Sequence, residues 1–161
     1  MKRTLILAAG LTLALVAGAV HAQDDKARNF LHDALAGDNS EVMLGKMASE
    51  QGSDPKLKDF GHMLVEDHGM HRQKVLKAGA AFHLPDDQAP APEAMKERDK
   101  LASMHGRDFD REFARYMVED HRKDIGDYHK AENLRGAPGR LARATLPTLH
   151  KHLKMAERLA G

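Results

Sequence analysis

The sequence predicts an all-α protein, an antiparallel four-helix bundle whose second and third helices are joined by a long crossover carrying a short extra helix. Three observations support this fold class. The chain has 161 residues, which suits one domain with one core. Only 4% of the residues are aromatic and β-branched residues are scarce, which disfavours an all-β fold. Glycine and proline divide the chain into helical segments separated by two tight turns and one proline-rich connection.

The first 22 residues are predicted to be a signal peptide. Lys2 and Arg3 precede an apolar run over residues 5–20, and short side chains follow at the positions that a signal peptidase reads. Cleavage near Ala22 leaves one domain, residues 23–161, exported to the periplasm if the cell has two membranes. A retained membrane anchor is the less favoured alternative, because the run is shorter than the roughly 20 residues that span a bilayer. The mature protein is expected to have no transmembrane segment.

The first predicted helix ends at Gln51, where Gly52 supplies a C-terminal stop. Asp54 is then an N-cap and Pro55 the first residue of a second helix, which makes the connection a tight turn. This second helix is expected to run to Leu84. Within the first helix, residues 37–40 (Gly-Asp-Asn-Ser) are a weak point where the helix could bend or break.

An extended crossover is predicted from Pro85 to Pro92, because it contains three prolines and no apolar periodicity. A short helix over residues 93–104 follows, and Asp108 is then expected to cap a third long helix over residues 109–134. Residues 135–138 (Arg-Gly-Ala-Pro) form the second tight turn. The fourth helix ends near residue 159, with a kink expected at Pro147.

Polar side chains interrupt the apolar stripe of every predicted helix. A residue advances about 100° around a helix, and this phase turns one or more acidic or imidazole groups inward on each helix. Counted from the two tight turns, these groups lie at the same depth within about one helical turn. Buried carboxylates and imidazoles must be hydrogen-bonded, ion-paired or metal-bound. The predicted constellation consists of Glu41, His68, His71, His121, Asp124 and His152, with Asp120 beside it.

Two interpretations of this constellation stay open. Neutral imidazoles with carboxylates suit one Fe, Mn, Zn or Cu ion, and His68 and His71 have the three-residue spacing that places both on one helix face. A ferritin-type diiron centre is less favoured, because His68-x-x-His71 and His121-x-x-Asp124 stand where that centre has Glu-x-x-His pairs. The alternative is a structural or interaction module whose buried network binds no metal. An enzymatic role is less favoured than either, since nothing in the sequence indicates an open coordination position or a substrate pocket.

Composition excludes several other kinds of function. The chain has 11 His and 9 Met but no Cys, which rules out disulfides, thiolate metal sites and cysteine nucleophiles. Without Lys2 and Arg3 the mature chain keeps 23 basic against 24 acidic residues, so bulk charge does not support nucleic-acid binding. The methionines Met43, Met47 and Met70 lie off the inward stripes, which favours packing over thioether binding of copper.

The sequence resembles the DUF4142 family of exported bacterial proteins over about residues 30–160. The resemblance implies a ferritin-like four-helix fold and no settled biochemical activity. Glu41, His68, His121 and His152 lie at motif positions of the family, whereas His71 and Asp124 rest on helical phase alone. The motifs are Glu41-Val42-x-Leu44-Gly45-Lys46-x-Ala48, Val65-x-Asp67-His68, Phe109-Asp110, His121, and Leu146-Pro147-x-Leu149-x-x-His152-Leu153.

Overall fold

A computed structural model describes residues 9–161, with side chains from Gln23 onward. Within that range the chain forms five α-helices and no strand, so the predicted all-α class is confirmed. The predicted signal peptide, residues 1–22, lies outside the residues whose side chains are described, and its removal stays a prediction. None of the helices described has the length and apolar character needed to cross a membrane.

Helices α1 (Ala9–Gln51) and α2 (Pro55–Gly79) form the first hairpin. As predicted, Asp54 caps α2, and its side chain accepts a hydrogen bond from the Lys56 backbone N–H at 2.8 Å. Helix α1 continues without a break through residues 37–40. The Ser40 hydroxyl donates to the Ala36 carbonyl there, so this polar side chain is satisfied within the helix.

The second hairpin consists of α4 (Gly106–Ala131) and α5 (Gly136–Ala160), and α3 (Pro92–Leu101) is the short helix of the crossover. Asp108 was predicted to cap α4, and this prediction is wrong. Asp108 lies within the first turn of the helix. The reason is Gly106, whose φ of 59° turns the chain sharply, so the helix begins there directly after His105. Helix α2 likewise ends at Gly79, before the predicted Leu84, and is followed by a single 3-10 turn.

Two contacts hold the helices together: a close approach of α1 and α2 at two glycines, and hydrogen bonds from the first tight turn to Asp110 of α4. Gly45 and Gly61 let α1 and α2 approach closely, since a Cβ atom on Gly61 would lie 2.6 Å from the Gly45 carbonyl oxygen. The Asp110 carboxylate, in the Phe109-Asp110 motif, accepts hydrogen bonds from the backbone N–H groups of Ser53 and Asp54 at 2.8 and 2.9 Å. It thereby attaches the first tight turn to the start of α4, which gives this motif a structural role.

The crossover is attached to α1 by side-chain hydrogen bonds. The Asn39 amide donates to the carbonyl oxygens of Asp87 and Ala89 at 2.9 and 3.2 Å. The Ala91 N–H donates to the Ser40 hydroxyl at 2.9 Å. These bonds satisfy backbone groups of a segment that has no helix or sheet of its own.

The core consists of two apolar clusters with a polar layer between them. One cluster includes Leu35, Val75, Ile125 and Leu149, and the other includes Leu44, Leu64, Met117 and Ala156. On each of the four long helices the inward acidic and imidazole residues fall between a member of the first cluster and a member of the second, whereas Thr145 lies among members of the first. The buried polar residues of this layer are Asp38, Glu41, His68, His71, His121, Thr145 and His152.

Candidate metal centre

The polar layer brings together one inward residue from each long helix: Glu41 of α1, His68 of α2, His121 of α4 and His152 of α5. Each is at most 5% exposed. One ring nitrogen from each of the three imidazoles lies within 4.8 Å of the others. The Glu41 carboxylate approaches two of them, with Oε2 3.4 Å from His68 Nε2 and Oε1 3.5 Å from His121 Nε2. The three imidazoles thus form one cluster, and Glu41 contacts it on the side of His68 and His121.

The outer nitrogen of each imidazole is held by an oxygen that can only accept. His68 Nδ1 donates to the Asp38 carboxylate at 3.0 Å, and His152 Nε2 donates to the Asp67 carboxylate at 2.8 Å. His121 Nδ1 donates to its own helix, at the Met117 carbonyl, at 2.9 Å. Since a neutral imidazole carries one N–H, the inner nitrogen of each ring is left with a lone pair. Such outer hydrogen bonds are the usual support of metal-binding histidines.

The inner atoms have no hydrogen-bond partner. Among the side chains described, six buried polar atoms lack one, and five of these belong to the same four residues. They are Glu41 Oε1, Glu41 Oε2, His68 Nε2, His121 Nε2 and His152 Nδ1. A buried acceptor without a partner costs about 1–3 kcal/mol, so this concentration calls for a cation or a proton. Ligand atoms around a tetrahedral metal lie roughly 3.3 Å apart, given bonds of about 2.0 Å, and the Glu41–His68 and Glu41–His121 separations of 3.4 and 3.5 Å are close to that spacing.

Burial sets the protonation of these groups. It lowers the pKa of His121 to about 3 and that of His152 to about 4, so both rings are in the neutral form that binds metals. Burial, reinforced by the negative charge of Asp120, raises the pKa of Glu41 well above its usual value. A metal ion at this point therefore competes with a proton on Glu41.

Two residues of the predicted constellation lie outside this group of four. Both ring nitrogens of His71 are already used: Nδ1 donates to Asp38 at 2.9 Å, and Nε2 is hydrogen-bonded to the Thr145 hydroxyl at 2.9 Å. Asp124 lies one turn beyond Asp120 on α4, at the wall of a neighbouring cleft. His71 therefore supports the layer through Asp38, and Asp124 faces it from the side of the cleft.

This cleft runs between α1, the crossover and α4, and its volume is about 540 Å³. Asp120 and Asp124 form part of its wall, together with Asp33, Tyr116 and Lys123. Burial raises the pKa of Asp120 and, with the charge of Asp120, raises that of Asp124 to about 8. The three imidazoles of the centre do not line the cleft, but Asp120 does, and it lies with Glu41 within 4.8 Å of a ring nitrogen of His121.

Sequence reasoning missed Asp38 and Asp67, the two carboxylates that orient His68 and His152. A signal for each was present. Asp38 lies three residues before Glu41 and therefore on nearly the same face of α1, but its setting beside Gly37 indicated a helix break. Asp67 directly precedes His68, but its side chain contacts His152 on α5, not a residue of its own helix α2.

Comparison with known proteins identifies the sequence family and the fold. The model of the family described as "Domain of unknown function (DUF4142)" matches residues 13–159. No curated protein matches the chain.

Two solved structures resemble this fold at low sequence identity. A DUF305 protein from Streptomyces coelicolor, described as secreted, superimposes with a TM-score of 0.70 at 16% identity, covering 84% of this chain and 92% of its own. CopM in its Cu(II)-bound form superimposes with a TM-score of 0.69 at 16% identity, covering 83% of this chain and 95% of its own. At this identity the likeness supports the helical-bundle fold and nothing finer.

Proposed function

The chain belongs to the DUF4142 family, a domain of unknown function, and on that premise we propose that it is an exported helical bundle that binds one transition-metal ion. The ligands are Glu41, His68, His121 and His152. The observation that carries the proposal is the set of five buried, partnerless atoms on these four residues: one nitrogen of each imidazole lies within 4.8 Å of the other two, and each Glu41 oxygen lies within 3.5 Å of an imidazole nitrogen of His68 or His121. Three of the atoms are imidazole nitrogens. The direction of each lone pair is fixed by the hydrogen bond that the other nitrogen of the ring makes.

The ligand chemistry narrows the choice of ion. Three imidazoles and one carboxylate suit Zn²⁺, Cu²⁺ and Fe²⁺ better than the oxygen-seeking Mg²⁺ or Ca²⁺. At equilibrium such a set binds Cu²⁺ most tightly of the divalent first-row ions. A protein of similar fold is known in a Cu(II)-bound form, which adds a reason to test copper first, with zinc beside it.

The role we propose is to buffer or sense this ion in the periplasm, without a catalytic step. The predicted signal peptide supports export. A neighbour described as secreted and the lack of a membrane-spanning helix among the described residues agree with it.

One observation favours a second function, a structural module without metal. The raised pKa of Glu41 means that its carboxyl group can keep a proton and donate it to His68 Nε2 or His121 Nε2, at 3.4 and 3.5 Å. The layer would then be a hydrogen-bonded network that sets helix register. The two functions differ in whether the protein binds a metal ion.

Metal analysis of the protein purified from its native compartment distinguishes them. We expect about one equivalent of metal, and a loss of affinity of roughly 100-fold or more when His68→Ala or His121→Ala removes a ligand. His62→Ala and His129→Ala change exposed imidazoles on the same two helices and should leave binding unchanged. Glu41→Gln keeps the side-chain shape and provides a variant that does not open a cavity. Negligible metal content, together with no thermal response to added Cu²⁺, Zn²⁺, Fe²⁺ or Mn²⁺, would establish the metal-free module instead.

A further inference from the structure

The acidic side of the centre contains a second group of ligand atoms. Glu41, Asp120 and His121 each offer an atom within 4.8 Å of the others. Asp124 follows Asp120 by four residues on α4, so its carboxylate lies on the same helix face, and both residues line the cleft. His121 has only one free nitrogen, which faces the three-imidazole centre, so this side of the layer offers mainly carboxylate oxygens.

Two of these carboxylates, Glu41 and Asp120, have no Lys or Arg partner among the side chains described, and Asp124 has only Lys123. Glu41 is 1% exposed and neither of its oxygens has a hydrogen-bond donor. Lys123 reaches Asp124 at 3.8 Å and Asp127 at 3.3 Å. Among the side chains described, no Lys or Arg nitrogen lies within 4.0 Å of Glu41 or Asp120. Grouped buried carboxylates of like charge are costly unless protons or a cation neutralise them.

The two oxygens of Glu41 allow it to serve both groups. A carboxylate can bind one cation through each oxygen, and Glu41 stands between the imidazoles and Asp120. The cleft, at about 540 Å³, is large enough to admit a hydrated ion to the Asp120 side. On the opposite side of the layer, the pocket beside His68 measures only about 90 Å³ and contains Lys74. The larger volume of the cleft and its acidic side chains both favour the cleft as the route by which a cation approaches the centre.

We propose that Glu41, Asp120 and Asp124 form a second cation position, rich in oxygen ligands, between the cleft and the three-imidazole centre. It binds a hard divalent ion such as Mn²⁺ or Fe²⁺, in contrast to the nitrogen-rich centre, which prefers Cu²⁺ or Zn²⁺. The position shares Glu41 with the centre of the proposed function but has ligands of its own.

The test uses Mn²⁺ as the probe, measured by loss of the free-ion EPR signal. The full mature protein is first given one equivalent of Zn²⁺, which outcompetes Mn²⁺ for the imidazoles. We expect it to bind one further equivalent of Mn²⁺. The double variant Asp120→Asn, Asp124→Asn should lose at least tenfold in Mn²⁺ affinity while keeping its Zn²⁺. The matched control Asp108→Asn, Glu119→Gln makes the same charge change at exposed positions of α4 and should bind as the wild type does.

A second variant separates this proposal from the proposed function. His152→Ala disables the imidazole centre but leaves the carboxylates in place, so Mn²⁺ binding should survive it. Absence of Mn²⁺ binding in the wild type, or unchanged Mn²⁺ affinity in the Asp120/Asp124 double variant, would overturn the second position. A different result would contradict the proposed imidazole centre, namely Zn²⁺ binding that does not depend on His68, His121 or His152.

Discussion

Asp38 orients two imidazoles with one carboxylate. It is 2% exposed, accepts from His68 Nδ1 at 3.0 Å, and accepts from His71 Nδ1 at 2.9 Å. Because an ionised carboxylate cannot donate, it requires the proton on Nδ1 of His68 and leaves the lone pair on Nε2, toward Glu41. The tautomer of a proposed ligand thus depends on a residue that does not face the centre.

Changing Asp38→Asn should weaken metal binding by about 10- to 100-fold. The amide has one carbonyl oxygen for two imidazole donors, so the orientation and the tautomer of His68 are no longer enforced. Isothermal titration with Zn²⁺ measures the effect, and Glu50→Gln, an exposed charge change on the same helix, is the control. An affinity equal to that of the wild type would mean that His68 does not need Asp38 to bind the ion.

The individual site residues were predictable where they lie on an apolar stripe, and less so where they support it. Glu41, His68, His121 and His152 follow from helical phase alone, since each interrupts a row of apolar residues. Phase places Asp38 near Glu41 on α1, but the role of Asp38 and of Asp67 could not be found in this way, because it depends on which side chain of another helix comes within hydrogen-bond distance. Phase also could not show that His71, although buried, has both nitrogens already engaged.

At the scale of the elements, the contact between α1 and α2 depends on two glycines. A Cβ atom added at Gly61 would lie 2.6 Å from the Gly45 carbonyl oxygen and 2.7 Å from the Ser49 nitrogen. Both neighbours are backbone atoms and cannot rotate away. The two helices that supply Glu41 and His68 therefore pack closely one and two turns away from the polar layer.

Gly61→Ala is expected to destabilise the protein by about 1–3 kcal/mol, because α1 and α2 must separate to admit the methyl group. Gly126→Ala is the matched control: it lies within α4, and a Cβ atom there meets nothing within 4 Å. That control should raise stability by about 0.5–1 kcal/mol, through the better helix propensity of alanine. Urea unfolding followed by circular dichroism measures both, and equal effects of the two changes would contradict the close-packing argument.

Helix boundaries were predictable where a side chain or a proline defines them, as at Asp54 and Pro55. They were less predictable where backbone conformation decides. The start of α4 depends on a positive φ at Gly106, whereas the sequence predicted Asp108 as the cap. Residues 37–40 were predicted as a point where α1 could bend or break, because consecutive Gly, Asp, Asn and Ser favour turns. Tertiary contacts use all three polar side chains instead, so the helix continues.

At the scale of the whole molecule, the proposed ligands are divided between two hairpins. Glu41 and His68 come from the first, and His121 and His152 come from the second. An ion that binds all four stabilises the packing of one hairpin on the other, because the unfolded chain does not present the ligands together.

Zn²⁺ should therefore raise the free energy of unfolding by about 2.7 kcal/mol when free metal exceeds the dissociation constant 100-fold. The urea midpoint with and without metal gives the value, and removal of the ion with EDTA should reverse the change. At the same metal concentration, the roughly 100-fold weaker binding expected of His121→Ala should leave a shift of only about 0.4 kcal/mol. If the urea midpoint of the wild type is the same with and without Zn²⁺, the ion does not hold the two hairpins together.

The turn of α1 from Asp38 to Glu41 contacts both the imidazoles and the crossover. Asp38 and Glu41 point to the imidazoles, while Asn39 and Ser40, between them, hold the crossover by its backbone. The crossover therefore contacts α1 at the same turn that carries Asp38 and Glu41, and Arg72 of α2 also bonds it. For the metal site proposed above, the strength of ion binding should therefore depend on how firmly the crossover is bound to Asn39 and Ser40.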